Sequence, residues 1–250
     1  MGKLRHIAFI SKEPKKLSDF YQKFFGLEEV KVFPSGSRMV IDGLFNLAFL
    51  QQHTDQVSVV GTHRADGAEA NQIPGIAHYG FMVDNLEQAV SKLPPTLKRG
   101  DSPQVSGGVS GPQAARPAEV RFIDAWGNNV DISSRGFLGR EERRLPGVRL
   151  AVVQVANPDE ACEFYKSQFD LEVIRREPDG SLALSDGIVK LILTRKQTLE
   201  RGGIQYFGIQ VENLPAVRQR LIDGGIAVSE DGADQIRIKD PEGNQVVISE

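Results

Sequence analysis

Apolar residues along this chain keep two rhythms in alternation. Residues 4–11 (LRHIAFIS) and 148–155 (VRLAVVQV) are apolar runs rich in β-branched and aromatic residues, which predicts strands. Behind each, apolar side chains recur at helical spacing. In the first, Leu17, Phe20, Tyr21 and Phe24 fall at i, i+3, i+4 and i+7, and Pro14 suits the first helical turn. Shorter apolar runs follow, separated by turn signals such as PSGS, DG and WGNN. The predicted unit is βαβββ.

That unit occurs four times. LRHIAFISKEPKKLSDFYQKFFGL (4–27) matches VRLAVVQVANPDEACEFYKSQFDL (148–171), each with an FY pair fourteen residues beyond His6 or Leu150. GIAHYGFMVDNLEQAVSKL (75–93) matches GIQYFGIQVENLPAVRQRL (203–221), and RFIDAWGNNVDIS (121–133) matches RIKDPEGNQVVIS (237–249). The chain therefore divides into an N-terminal half, 1–136, with modules 1–55 and 75–136, and a C-terminal half, 147–250, with modules 147–196 and 203–250. The predicted class is α+β rather than a doubly wound sheet. One module alone leaves a sheet face bare, so modules are expected to pair and bury it. Residues 51–75 link the first two modules, and 135–147 link the halves with a solvated EERR run. The Gly-, Pro- and Ser-rich stretch 101–118 is long for a plain connection and reads as a lid.

Bulk composition narrows the function classes. The 250 residues are 40% hydrophobic and 25% charged with a net charge of −3, as in an ordinary globular protein with no field to draw nucleic acid or an anionic membrane. The one cysteine, Cys162, excludes an intrachain disulfide and a cysteine-rich zinc site. No apolar run has the length of a signal peptide or a membrane span, so a cytoplasmic location is expected. Cys162 falls on the apolar side of a helix beside Phe164 and Tyr165 and reads as buried and inert.

The candidate chemistry rests on four histidines: His6, His53, His63 and His78. Alternate strand residues share a face, so His6 shares one with Ala8 and Ile10, and His78 one with Gly80 and Met82. The small neighbours leave room for something bulky. A lone strand histidine is usually a satisfied core residue, but these two occupy the same position in paired modules, and their rings can converge. The last strands align Asn46 with Asp131. An inward Asp is costly to bury ionised unless paired, and a divalent metal would satisfy it and both histidines. Two His and one carboxylate form the facial arrangement that leaves open positions on iron or a similar ion. In the C-terminal half, the positions of His6, Asn46, His78 and Asp131 become Leu150, Lys190, Tyr206 and Val247, so the set is lost as a unit.

The fourfold βαβββ plan, the FY…GL helix end and the GN-containing last turn resemble the vicinal oxygen chelate superfamily over nearly the whole chain. The resemblance implies two tandem glyoxalase-like domains with curved mixed sheets. It implies one metal in the cup of the N-terminal domain, on His6, His78 and Asp131. Two departures stand out: the usual carboxylate of the family is Glu, and two-domain extradiol dioxygenases usually carry the metal in the C-terminal half. The leading reading is an Fe(II) enzyme that cleaves a catechol-like ring. A glyoxalase- or epimerase-like isomerase or lyase using Ni, Zn, Mn or Co stands beside it. The third is a bleomycin-resistance-like binding protein without catalysis.

Other residues are assigned on the same basis. Asn46 is a metal ligand, a substrate or ligand-orienting contact, or structural. A fourth ligand would leave two open positions on an octahedral ion, whereas three leave room for a bidentate substrate and O₂. Arg121 stands where extradiol enzymes have a substrate-bonding Tyr and could hold an oxyanion. Arg237, at the same position in the half without ligands, favours a structural role instead. Glu119 shares the face of Arg121 and is expected to pair with it or to contact substrate. His53 and His63 read as linker surface residues, with a general acid–base role as the alternative. Lys190 and Tyr206 could line a second pocket. The expected partner is a small-molecule substrate, with a homodimer compatible and neither nucleic acid nor membrane expected.

Overall fold

The computed structural model describes residues 1–52, 74–97, 99–101, 119–140, 142–196, 203–232 and 234–250. His53, His63 and nearly all of the stretch read as a lid lie outside the described residues. The first module comprises β1 (Lys3–Ser11), α1 (Pro14–Phe25), β2 (Glu28–Val32), β3 (Arg38–Ile41) and β4 (Asn46–Gln51). The second comprises β5 (Gly75–Met82), α2 (Leu86–Ser91), β6 (Arg99–Asp101), β7 (Glu119–Ile123) and β8 (Asn129–Ser133). The third comprises β9 (Gly147–Val155), α3 (Pro158–Phe169), β10 (Glu172–Arg176), β11 (Leu182–Ser185) and β12 (Lys190–Arg195). The fourth comprises β13 (Gly203–Gln210), α4 (Leu214–Asp223), β14 (Val228–Glu230), β15 (Gln235–Lys239) and β16 (Gln245–Ser249). The order is βαβββ four times. Among the described residues no helix is long and apolar enough to cross a membrane.

Each half forms one eight-stranded mixed sheet, ordered β2-β3-β4-β1-β5-β8-β7-β6 or β10-β11-β12-β9-β13-β16-β15-β14. The modules of a half join edge to edge through antiparallel β1–β5 and β9–β13, while β1–β4 and β5–β8 run parallel. This corrects the expectation that paired modules cover each other's bare face. Pairing only extends the sheet, and the apolar face is covered by helices and by the other half. Odd-numbered residues Ile7, Phe9, Tyr79 and Phe81 enter one apolar core together with Ala151, Val153, Phe207 and Ile209. Phe169 of α3 stacks on Phe81 with ring centroids 3.9 Å apart, and Phe9 meets Phe207 at 5.7 Å. The opposite, even-numbered face of β1 and β5 is left to form the cup.

The repeated FY and GN motifs clasp the halves together. Tyr21 of α1 donates to Asp240 Oδ2 at 3.0 Å, and Tyr165 of α3 donates to Asp124 Oδ2 at 2.5 Å. Each Asp also holds its own turn by accepting from the amide of Asn128 or Asn244. Two buried ion pairs repeat the exchange: Arg5 donates to Asp186 at 2.6 Å and Arg149 to Asp42 at 2.8 Å. Backbone amides also bond Asp186 and Asp42, so each buried carboxylate has partners beyond its arginine.

Candidate metal centre

Strand register places three of the predicted site residues together. In the β1–β5 pair, His6 lies opposite Gly80 and Ala8 opposite His78, so the histidines sit diagonally on one face. Their Nε2 atoms are 3.3 Å apart. On β8, Asp131 is level with Gly80, and its Oδ2 lies 3.3 Å from His78 Nε2. One ligand atom from each residue falls within 4.8 Å of the others, and none of the three residues is more than 6% exposed. The alignment of Asn46 with Asp131 is corrected by the register. Asn46 is level with His6, whereas Asp131 is level with Gly80, two residues past His78.

That shift gives Asn46 a different task. Its Oδ1 lies 2.7 Å from His6 Nδ1, so the neutral ring donates Nδ1–H to it and keeps a lone pair on Nε2. The amide is fully buried, and its Nδ2 has no partner among the described residues. His78 Nε2 accepts from Arg121 Nη2 at 3.1 Å, so its single lone pair is engaged by the guanidinium, and an ion takes it only by displacing that contact. Burial first, then the neighbouring His78, lowers the His6 pKa to about 3. Burial and then Arg121 lower that of His78. Both rings are therefore neutral near pH 7, the form that ligates metal.

The donor set fits a divalent ion. Bonds of about 2.1 Å place neighbouring ligands of a six-coordinate ion about 3 Å apart, close to the two 3.3 Å separations made by His78, within a group whose ligand atoms all lie within 4.8 Å of one another. Arg121 is the complication. Its Nε and Nη2 donate to Asp131 Oδ1 and Oδ2 at 2.6 and 2.7 Å. Burial works against the charge on Asp131, but Arg121 and His78 outweigh it and hold the carboxyl well below the usual range. Each carboxylate oxygen has a second lone pair, so an ion can share Oδ2 with Arg121. Glu119, on the same face of β7 and level with Ser133, is pushed up to about 7 by burial and then by Asp131, against the pull of Arg121.

One residue of the site carried no sequence signal of its own. Phe137, in the linker between the halves, stacks on His6 with centroids 4.5 Å apart and 6° between planes. It takes the room over Gly80 that the sequence left for something bulky. The small residue at 80 was the only hint. The C-terminal cup lacks the donor set: Leu150 pairs with Lys190 as His6 does with Asn46, and Val247 with Gly208 as Asp131 does with Gly80. There Arg237 lies over the Tyr206 ring at 4.8 Å, and Lys190 is exposed. Cys162 is 5% exposed and its thiol pKa is raised, first by burial.

The fold and this cluster define a chelating cup of the vicinal-oxygen kind. Residues 3–95 and 147–248 match the Glyoxalase/Bleomycin resistance protein/Dioxygenase superfamily, and the chain belongs to it. No curated protein matches the chain. Among solved structures it is similar to the 2,3-dioxygenase LapB from Pseudomonas sp. KL28, with a TM-score of 0.66 and 14% identity over 99% of this chain and 91% of that one. It is also similar to the Mn(II)-bound glyoxalase from Novosphingobium aromaticivorans, with a TM-score of 0.70 and 12% identity over 100% and 83%. Homoprotocatechuate 2,3-dioxygenase from Arthrobacter globiformis gives 0.68 and 12% over 99% and 79%. At these identities the likeness is one of fold.

Proposed function

We propose that the N-terminal half holds one divalent ion, Fe(II), on His6, His78 and Asp131, and that the chain is an extradiol-type ring-cleaving dioxygenase acting on a small catechol-like molecule. The observation that carries this reading is the 2.7 Å contact of Asn46 with His6 Nδ1. It makes Asn46 an orienting residue and leaves three protein ligands. When bound, the ion supplies Lewis-acid chelation of two adjacent substrate oxygens and keeps a position for O₂.

The chain's own groups complete the site. Asn46 and Arg121 fix which nitrogens carry lone pairs. Arg121 and Asp131 together are neutral, as are the two rings, so a divalent ion leaves an excess of positive charge that favours an anionic, chelating substrate. Glu119 is the carboxyl on this face that exchanges a proton near neutrality, and we assign it the proton of the substrate hydroxyl. The isomerase or lyase reading, with Ni, Zn, Mn or Co, needs either a fourth contact from Asn46 or release of Asp131 as a base. The hydrogen bond to His6 opposes the first, and the double hold of Arg121 opposes the second. The binding-protein reading gives no use to the converging donors.

Metal analysis of anaerobically purified protein, followed by O₂ uptake with a panel of catechols, tests the proposal. Bound iron with catechol-dependent uptake supports it. Nickel or zinc without uptake sinks it.

A further inference from the structure

The linker between the halves does more than connect them. Gly136 (φ 67°) and Leu138 (φ 68°) both adopt the left-handed backbone, turning the chain on each side of Phe137. Leucine rarely adopts that conformation, and it persists where the surroundings over-determine it. The next residues are pinned to the turn before β4: Arg140 N donates to Gly43 O at 2.7 Å, and a Cβ on Gly139 would lie 2.4 Å from Leu44 O. Phe137 is thereby delivered, 6% exposed, onto the imidazole face of His6. A Cβ on Gly80 would lie 2.5 Å from its Cζ, so glycine at 80 is what admits the ring. In the C-terminal half the matching glycine, Gly208, is covered by Leu150 itself, which stands in the place of His6.

We infer that Phe137 is a positioning residue for His6, clamping its ring so that Nε2 stays aimed at His78, and that Gly80 exists to seat it. The inference rests on the metal reading above. The χ2 torsion of histidine is broad, and the hydrogen bond of Asn46 holds only the Nδ1 edge. The stacked ring removes the remaining freedom, because rotation about χ2 would drive the imidazole edge into the Phe137 face. Groups that orient a metal ligand alter affinity by roughly 10–100-fold when removed.

The test uses Co(II) binding to the full-length protein, with NMR of the histidine ring protons in the metal-free form. Wild type is expected to bind Co(II) and to show His6 ring protons moved upfield by the stacked phenyl. Phe137→Ala and Phe137→Leu are expected to lose that shift and to bind Co(II) about tenfold more weakly or worse. Gly80→Ala, which displaces the ring without altering it, is expected to do the same. Adding Gly80→Ala to Phe137→Ala is expected to cost nothing further, since no ring remains to collide. The Leu variant and the glycine variant keep the test decisive where Phe137→Ala folds poorly. Wild-type Co(II) affinity in all three single variants overturns the inference while leaving the metal site standing. A present ring-current shift without Co(II) binding by wild type overturns the metal reading while supporting the clamp. Absence of the shift in wild type overturns the clamp.

Discussion

The guanidinium of Arg121 holds both oxygens of Asp131, at 2.6 and 2.7 Å, and its Nη2 also reaches His78 Nε2 at 3.1 Å. A fixed cation thus touches two of the three prospective ligands. It keeps Asp131 ionised, and it repels an incoming metal. Unit charges about 5 Å apart interact by about 3 kcal/mol at an effective dielectric near 20. Arg121→Gln is therefore expected to tighten Co(II) binding by on the order of tenfold or more, measured calorimetrically near pH 7. Weaker binding would mean that Arg121 serves the site mainly by keeping Asp131 charged.

Asn46 has the opposite relation to the metal. Asn46→Ala removes the acceptor that fixes the His6 tautomer, and Co(II) affinity is expected to fall about 10–100-fold. Asn46→Asp keeps an acceptor and is expected to retain binding. Equal loss in both variants would point to a contact made by the amide nitrogen instead.

Acid should loosen the metal-free protein through its histidines. His6 titrates at about 3 when folded, against 6.5 for an ordinary ring. As pH falls below 6.5 the unfolded chain takes up a proton that the native state refuses, so stability drops through that window by up to about 1.4 kcal/mol per pH unit for each such ring. Glu119 acts in the opposite sense. Its native carboxyl keeps a proton up to about 7, while the unfolded one loses it near 4.5, so its contribution falls as pH rises. Denaturation midpoints from pH 7 to 5 are expected to depend less on acid in His6→Gln and more in Glu119→Gln. Identical profiles would contradict both assignments.

The junction between the halves should be stiff. Arg5 and Asp186 have side chains 4% and 0% exposed. Asp186→Ala leaves a buried guanidinium without its carboxylate, and the expected loss is about 3–5 kcal/mol, read from chemical unfolding. Its counterpart, Asp42→Ala, is expected to match it because Arg149 is held the same way. A loss below 1 kcal/mol would mean that the halves are held by the apolar core alone.

Much of this was legible in the chain. Period-two parity placed His6 and His78 on one face, and the internal repeat located the half that keeps the donors. The FY and GN motifs were visible as repeats but not as a clasp, because Tyr21 and Asp240 meet only through tertiary packing. Alignment by similarity set Asn46 against Asp131, whereas backbone hydrogen bonding offsets them by two residues. That offset keeps both on the same face, so parity could not expose it. Arg121 was expected to pair with Glu119 on its own strand; its fork closes on Asp131 of the neighbouring strand, and the charge of Glu119 adds to its hold. Phe137 lies in a linker without periodicity, and its position depends on two left-handed residues, one of them a leucine that signals nothing.

The central claim is that His6, His78 and Asp131 bind one metal ion. The most direct measurement is the metal content and Co(II) stoichiometry of wild type beside His78→Ala. The account predicts one ion per chain in the wild type and none in the variant, with the fold retained by circular dichroism. A wild type that takes up no ion, or a His78→Ala protein that keeps a full equivalent, would contradict it.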